Sequence, residues 1–381
     1  MELKDIVEEL KKEGFSNATA NYHGKKVFAE NYGKNADKYT HKEKEWANQH
    51  GFTAEEVRFL GLNDENYTKY LSSYDYHLLD PIDPFTKRLV DGKLVIPFTI
   101  GGRYPEYLPK YYCWVFDENT VIPMNDNPVV AWNSVKDYLI QLLDKVGILA
   151  IKPYTGGGGI GFIKLEKICN HYYSNGEKVI DLQEVVGLIK NKYIVTEYVR
   201  QCKEFDDVWK DSAATLRVVT INKNNKQISF VTYVRFGTKI SKGACNLTSG
   251  GVAVPFNWEN GEYYDRMYRY IDYCDDEKFI LTKHPDSSVS LAGKRIPHFD
   301  MVKKLVKDIC SFLTVHTYFG FDIIITDDGV KLCEINSHPS LDYEQLMFGG
   351  VWEQTKEVQD FFRELIENRK KRSAIYCNKQ M

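Results

Sequence analysis

The segment FDIIITDDGVKLCEIN (321–336) constrains the fold of this chain more than any other. An apolar, β-branched run, an Asp-Asp-Gly turn and a second apolar run specify a β-hairpin. Asp322 is embedded in the first run. A carboxylate buried there without a partner is costly, so it calls for a cation. Glu334 and Asn336 stand two apart on the return strand and share a face, with Ile335 turned to the core between them. Asp322 reaches that face from the first strand. Two carboxylates and an amide oxygen are hard donors suited to a Mg²⁺ that bridges phosphates. Asp327 and Asp328 belong to the turn and read as solvated, and His338 reads as structural.

A hairpin of this kind needs neighbouring strands, and the chain supplies candidates. ILAIKP (148–153), FIKLEK (162–167) and KYIVTEYV (192–199) read as strands. TLRVVTI (215–221) and ISFVTYVRFG (228–237) pair around the polar turn NKNNKQ. LVIPF (94–98) and YYCWVF (111–116) are further strand candidates. VKDYLIQLL (135–143), DLQEVVGLIK (181–190) and DMVKKLVKDICSFL (300–313) are amphipathic helices. Residues 1–90 read as helical and polar, with Leu3, Ile6, Val7 and Leu10 at helical spacing. Helices interleaved with antiparallel strands predict an α+β fold.

Composition narrows the function classes. With 381 residues the chain is long enough for two or three domains. Lys and Arg number 50 against 53 Asp and Glu, which argues against general nucleic-acid or membrane-surface binding and leaves room only for a local basic patch. No apolar run approaches the length of a membrane-spanning helix, and the start MELKDIVEEL lacks the pattern of a signal peptide. The eight cysteines form no CxxC pair and no zinc spacing, which predicts reduced thiols in cytoplasm.

KPYTGGGGIGF (152–162) is the second informative segment. Gly156, Gly158 and Gly161 satisfy G-x-G-x-x-G, but the strand FIKLEK follows where a dinucleotide fingerprint requires a helix. Phe162 stands where a Walker A loop needs Lys, and no H-R-D or D-F-G motif of the protein kinases occurs. A glycine-rich turn between strands remains, with Lys152 before it. Glycines let backbone N–H groups approach an anion, and the lysine adds a point charge, as in a flap over a nucleotide triphosphate. Glu197 ends a strand, Glu204 follows it, and Arg217 lies inside a β-branched strand where it needs an anionic partner. CNLTSGGVAV (245–254) offers Asn246 and the pair Gly250-Gly251 in a polar loop.

In this order the motifs resemble the ATP-grasp superfamily over roughly residues 90–345. Within it the chain most resembles the sugar-transfer-associated, TupA-like group, through DPFTKRLVDGKLVIPF, YPEYLPKYY, TLRVVT, NLTSGGVAV and EINSHPSLDYEQ. The resemblance implies two α+β lobes that grip ATP between antiparallel sheets, with a helical region at 1–90. The segments are then a first lobe at 91–147, a small lobe with the glycine-rich loop at 148–205, and a large lobe with the metal site and C-terminal helix at 206–381. It implies ATP and Mg²⁺ as cofactors, two ions, with Mn²⁺ as the alternative. Lys152 and Lys93 match its nucleotide-binding lysines, with Lys87 an alternative to Lys93. Gly156, Gly157, Gly158, Gly159 and Gly161 match its mobile loop. Glu197, Tyr198 and Val199 match the adenine-side contacts, and Glu204, or else Asp207, the ribose contact. Arg217 matches the catalytic arginine at the γ-phosphate, beside Lys152. Asp322, Glu334 and Asn336 match the metal ligands. Lys239, Lys242, Asn246, Gly250 and Gly251, with Arg235 and Arg295, are candidates for holding an acceptor.

The activity so implied is carboxylate–amine ligation through an acyl-phosphate in surface-polysaccharide assembly, on small-molecule or glycan carboxylates and amines. The alternatives are a kinase that uses the same ATP site and a non-catalytic nucleotide-binding protein. The chain departs from the group at two places. Ala213-Ala214 stand where an Asn is expected before Thr-Leu-Arg, and the first 90 residues lack a Rossmann-like lobe. Both bear on acceptor recognition rather than on ATP binding.

Overall fold

Short alternating segments and continuously apolar runs build, among the described residues, two antiparallel sheets of seven strands each. The computed structural model describes residues 3–12, 17, 20–21, 24, 38–117, 119–124, 134–154, 159–189, 192–224, 226–270 and 279–378, with side chains through Arg369. The strands are β1 (Tyr111–Asp117), β2 (Thr120–Pro123), β3 (Ile148–Pro153), β4 (Ile163–Ile168), β5 (His171–Ser174), β6 (Glu177–Val179) and β7 (Tyr193–Glu197). They continue with β8 (Thr215–Lys223), β9 (Lys226–Phe236), β10 (Val252–Pro255), β11 (Met267–Arg269), β12 (Ile280–Leu281), β13 (Tyr318–Thr326) and β14 (Gly329–Asn336). The first sheet runs β2-β1-β7-β3-β4-β5-β6, and the second β12-β11-β10-β9-β8-β13-β14. The expected α+β architecture, with helices packed on antiparallel sheets, is what the chain adopts.

Tertiary contacts gather the chain into two compact units, 1–83 with 338–381, and 84–337. Both sheets lie in the second. Helices Val135–Val146 and Leu182–Leu188 cover the first sheet with Val135, Leu139, Leu143, Leu182, Val185 and Val186. Helix Phe299–Phe312 places Val302, Leu305, Val306 and Ile309 against the second, where Phe319 and Phe321 stack with centroids 5.1 Å apart. Each fully buried side chain of this size contributes roughly 1.5–3 kcal/mol.

The first unit is helical. Thr40 with Glu43 and Thr53 with Glu56 form capping boxes that start helices His41–His50 and Ala54–Phe59. Phe59 stacks on Tyr343, with centroids 4.2 Å apart. Gln345, buried on helix Asp342–Phe348, accepts from the Leu71 amide and donates to the Leu71 carbonyl, as a backbone partner would. His338 stacks on Tyr76, in keeping with a structural part.

One expected strand is a helix. LVIPF contributes to helix Ile96–Thr99, with Pro97 in its first turn. Proline lacks the N–H that a strand ladder needs but forfeits no bond in a first helical turn. Ile96 and Ile100, four apart, are then both buried on one face.

Candidate active site

Strand pairing assembles one face of the second sheet from residues far apart in the chain. Asp322 on β13 lies directly opposite Arg217 on β8 and Glu334 on β14. Directly opposed residues share a face, so the three form a row. Gly320 pairs with Asn336, which puts the amide on the same face two residues along. A bulge falls between Asp322 and Ile323, where Glu334 and Leu332 are the successive partners and Cys333 is the extra residue. Leu332 and Ile335 both enter the core although they are three apart, and Glu334 stays on the polar face.

Asp322 is buried and doubly paired. Arg217 donates from Nε to Oδ1 at 2.7 Å and from Nη2 to Oδ2 at 3.2 Å, and Arg235 on β9 approaches the same Oδ2 to 2.9 Å. Burial alone opposes ionisation of Asp322. The charges of Arg217 and Arg235 and their hydrogen bonds outweigh it and hold the carboxyl below the usual carboxylate range. Arg235 also donates to the Thr215 hydroxyl at 2.7 and 3.0 Å and to Asn246 Oδ1 at 2.9 Å. Lys93, buried despite its charge, reaches Glu334 at 3.1 Å. Asp91, two residues earlier, accepts from the Ser337 amide and hydroxyl at 2.6 and 2.8 Å. That pair of bonds ties the segment carrying Lys93 to the end of β14.

The first sheet contributes from across this face. Tyr111 on β1 is buried; its hydroxyl is pushed up by burial first and then by the charges of Cys333 and Glu334. Burial raises the Cys333 thiol to about 11, and Lys152 on β3 is near enough to offset part of that rise. Gly159 has φ +73°, and an added Cβ would lie 2.8 Å from the Asn246 side-chain nitrogen. Only glycine allows that approach in that conformation. Gly161 shares the left-handed conformation, whereas Gly156, Gly157 and Gly158 lie outside the described residues.

Other candidates are placed as follows. Glu197 ends β7 and its carboxylate accepts from the Lys110 amide at 3.0 Å. Tyr198 and Val199 come directly after the strand, and Lys164 lies over the Tyr198 ring at 5.2 Å. Glu204 and Asp207 are exposed at the one-turn helix Lys203–Asp206. Gly250 accepts from the Thr238 hydroxyl at 2.7 Å, and a Cβ at Gly251 would meet the Cys245 carbonyl at 2.5 Å, so both shape the loop. Lys239 and Lys242 are exposed and form no ion pair among the described residues. Arg295 spends its guanidinium on the Asn260 carbonyl. Arg235 is the member whose place sequence reasoning missed. Its signal was available: on β9 it has the same strand parity as Tyr233, which pairs with Arg217.

Asp322, Glu334 and Asn336 set hard oxygens, the donor type that Mg²⁺ takes, on one face. In this structure both Asp322 oxygens are held by Arg217 and Arg235, and Glu334 pairs with Lys93. No group of three or more His, Cys, Asp and Glu side chains that could hold a metal ion occurs among the described residues.

A family model described as sugar-transfer associated ATP-grasp matches residues 62–360. Similar solved structures include a PurK N5-carboxyaminoimidazole ribonucleotide synthetase in complex with ADP, at 10% identity and TM-score 0.37, covering 68% of this chain and 47% of that one. D-alanyl-alanine synthetase A from Vibrio cholerae matches at 13% identity and TM-score 0.37, over 73% of this chain and 66% of that one. D-Alanine-D-alanine ligase from Helicobacter pylori matches at 13% identity and TM-score 0.36, over 73% and 61%. The match thus spans about half the length of the first of these. No curated protein matches the chain.

Proposed function

The chain belongs to the sugar-transfer associated ATP-grasp family, and we propose that it is an ATP-dependent carboxylate–amine ligase. In this reading a substrate carboxylate attacks the γ-phosphate of ATP, ADP leaves, and an amine displaces phosphate from the acyl-phosphate to form an amide. The family's description directs the acceptor towards surface-polysaccharide assembly, with an amino acid or amine joined to a uronic-acid or other carboxylate. We place the reaction in the cytoplasm, in keeping with ATP as substrate and with Cys113, Cys202, Cys245 and Cys310 as free buried thiols.

The observation that carries this reading is the charged row on the second sheet. Arg217 and Arg235 on that sheet, with Lys93 against Glu334, set three positive charges against the two of Asp322 and Glu334, an excess of one. Phosphoryl transfer requires mainly positioning and neutralisation of charge, and an excess of cations on a buried face supplies both. Asp322 holds the guanidiniums of Arg217 and Arg235 in fixed orientation beside one another. Their positive charges lie on the face where the transferring phosphoryl group would be neutralised. Lys152 and the glycine loop, Gly156 to Gly161, hold the α- and β-phosphates, and Lys93 assists. Glu197, Tyr198 and Val199 face the adenine, and Glu204 the ribose. Asp322, Glu334 and Asn336 would hold Mg²⁺, two ions in our reading, which adds Lewis-acid neutralisation of phosphate oxygens when bound. Asn246, beside Gly159 and Arg235, borders the acceptor side.

The test is ADP release with Mg·ATP over a panel of amino acids, each with and without uronic-acid glycans or nucleotide-sugars. Release only when carboxylate and amine are both present supports the ligase. Release with one acceptor and a stable phosphorylated product makes the protein a kinase. ATP binding without release under any combination favours a non-catalytic nucleotide site.

A further inference from the structure

We propose that His284 is a positioning residue for the loop 237–251, which it latches in place as a neutral imidazole so that Asn246 stays against Arg235. The ring is 1% exposed, and both of its nitrogens are engaged. Nε2 lies 2.8 Å from the Gly237 carbonyl oxygen. Nδ1 lies 3.2 Å from the Ser287 amide and 3.4 Å from the Asp286 amide. A carbonyl can only accept and an amide N–H can only donate. These partners therefore fix one tautomer, with the proton on Nε2 and a bare Nδ1. Trp209 stacks on the ring, with centroids 5.5 Å apart.

The ring joins two segments through direct bonds. One is the turn 284–289, in which the Ser288 amide donates to the His284 carbonyl and the His284 amide to that of Val289. Ser288 has φ +60°, where side chains are rarely found, and Nδ1 holds the two amides just before it. The other segment begins at Gly237, two residues after Arg235 and directly after β9. A Cβ at Gly237 would lie 2.0 Å from Ser212 Oγ and 2.6 Å from the Ala244 carbonyl, so the loop closes back on this point. Asp286 adds a second tie by accepting from the Lys239 amide at 2.9 Å. Beyond it the loop is bonded to itself. The Ser241 hydroxyl donates to the Ala244 carbonyl at 2.7 Å, and the Gly251 amide to the Asn246 carbonyl at 2.9 Å. Asn246 in turn accepts from Arg235 at 2.9 Å.

Protonation would turn Nδ1 into a donor facing two donors. Burial holds His284 below its ordinary value of 6.5, against the Gly237 bond and the charge of Asp286, which both favour the proton. The other charged groups on these segments, Lys210 and Asp211 beside Trp209, Lys239, Lys242 and Lys283, are exposed. With the loop open, the ring regains its ordinary value. The latch is therefore at full strength above about 6.5 and weakens as pH falls below it, by up to roughly tenfold per pH unit for one proton. The weakening levels off once the latched ring is itself protonated.

Hydrogen exchange of the full chain without nucleotide tests this. Corrected for the chemical effect of pH, protection of the Ala244, Gly250 and Gly251 amides should fall on the order of tenfold from about pH 8 to about pH 5.5. Amides of helix Val135–Val146 should not follow. His284→Gln can donate to Gly237 and cannot titrate, so it should keep protection and lose the pH dependence. His284→Phe keeps a ring against Trp209 without nitrogens, and should leave the loop poorly protected at either pH. In the unaltered chain, nitrogen-15 shifts of the His284 ring near pH 7.5 should show the proton on Nε2. Protection that ignores pH, a pH dependence that survives in His284→Gln, or a proton on Nδ1 overturns the proposal. The bearing on turnover rests on the ATP reading. There His284→Phe should raise the KM for ATP severalfold with kcat within a factor of about two, and His284→Gln should restore it. Protection that follows His284 while KM does not supports the latch and counts against the ATP reading alone.

Discussion

Each unit buries a carboxylate almost completely, and the two are treated in opposite ways. Asp322, in the two-sheet unit, lies between Arg217 and Arg235 and stays ionised. Glu56, in the helical unit, is 1% exposed and has no cationic partner among the causes that shift it. Burial pushes it up to about 8; hydrogen bonds from Ser73 and Thr53 restrain the rise, and the charge of Asp342 adds to it. Glu56 is thus largely neutral at neutral pH, and its work is the capping box at Thr53. Burial does not mark a functional acid. What separates these two acids is the charge that the fold places around each.

Removing the charge on each side tests this contrast. The largest expected effect is Asp322→Ala, which removes the carboxylate that the buried Arg217 and Arg235 share. Chemical denaturation should show a loss of about 3–5 kcal/mol, and a loss below about 1 kcal/mol would break the comparison. Glu334→Gln separates chemistry from folding. Glu334 is less buried and pairs with one lysine, so stability should change by less than about 1 kcal/mol. ADP release should fall on the order of 10²–10³-fold, as for loss of a preorganised charged group. Turnover within a factor of about two of wild type would remove Glu334 from the site.

Glu56→Gln addresses the other unit through pH. In the folded state Glu56 keeps its proton up to about 8, whereas in the unfolded chain it releases it near its ordinary value of 4.5. Between those values the unfolded state is the more ionised, so stability falls as pH rises and levels off above about 8. The slope is about 1.4 kcal/mol per pH unit for one proton. Glu56→Gln should flatten it, read by hydrogen exchange of the amides in helix Ala54–Phe59. A slope that survives the substitution would assign it to another group. The smallest effect is expected for Asn246→Ala. It removes one hydrogen bond to Arg235, about 1 kcal/mol, and should raise the KM for ATP severalfold with the fold intact. An unchanged KM would detach Asn246 from the loop at Gly159.

Much of this was legible beforehand because it depends on local pattern. The hairpin around Asp327 and Asp328, the strand before Lys152 and the pairing of β8 with β9 follow from alternation and turn chemistry. LVIPF was misread because Pro97 and two isoleucines four apart suit a helix turn as well as a short apolar run suits a strand. The bulge at Cys333 has no signature in sequence, yet it decides which residues of β14 face the site.

By itself the sequence determined β1, β3, β4, β7, β8, β9, the β13–β14 hairpin and the residue types brought to the site, since each depends on neighbours within a few positions. The identity of Asp322's partners was decided by the tertiary structure alone. Arg217 and Arg235 lie 105 and 87 positions from it in the chain. They meet it because β8 pairs with both β9 and β13 and sets their register. Register is a property of the whole sheet, fixed by which faces bury their apolar residues together, and no local window contains it.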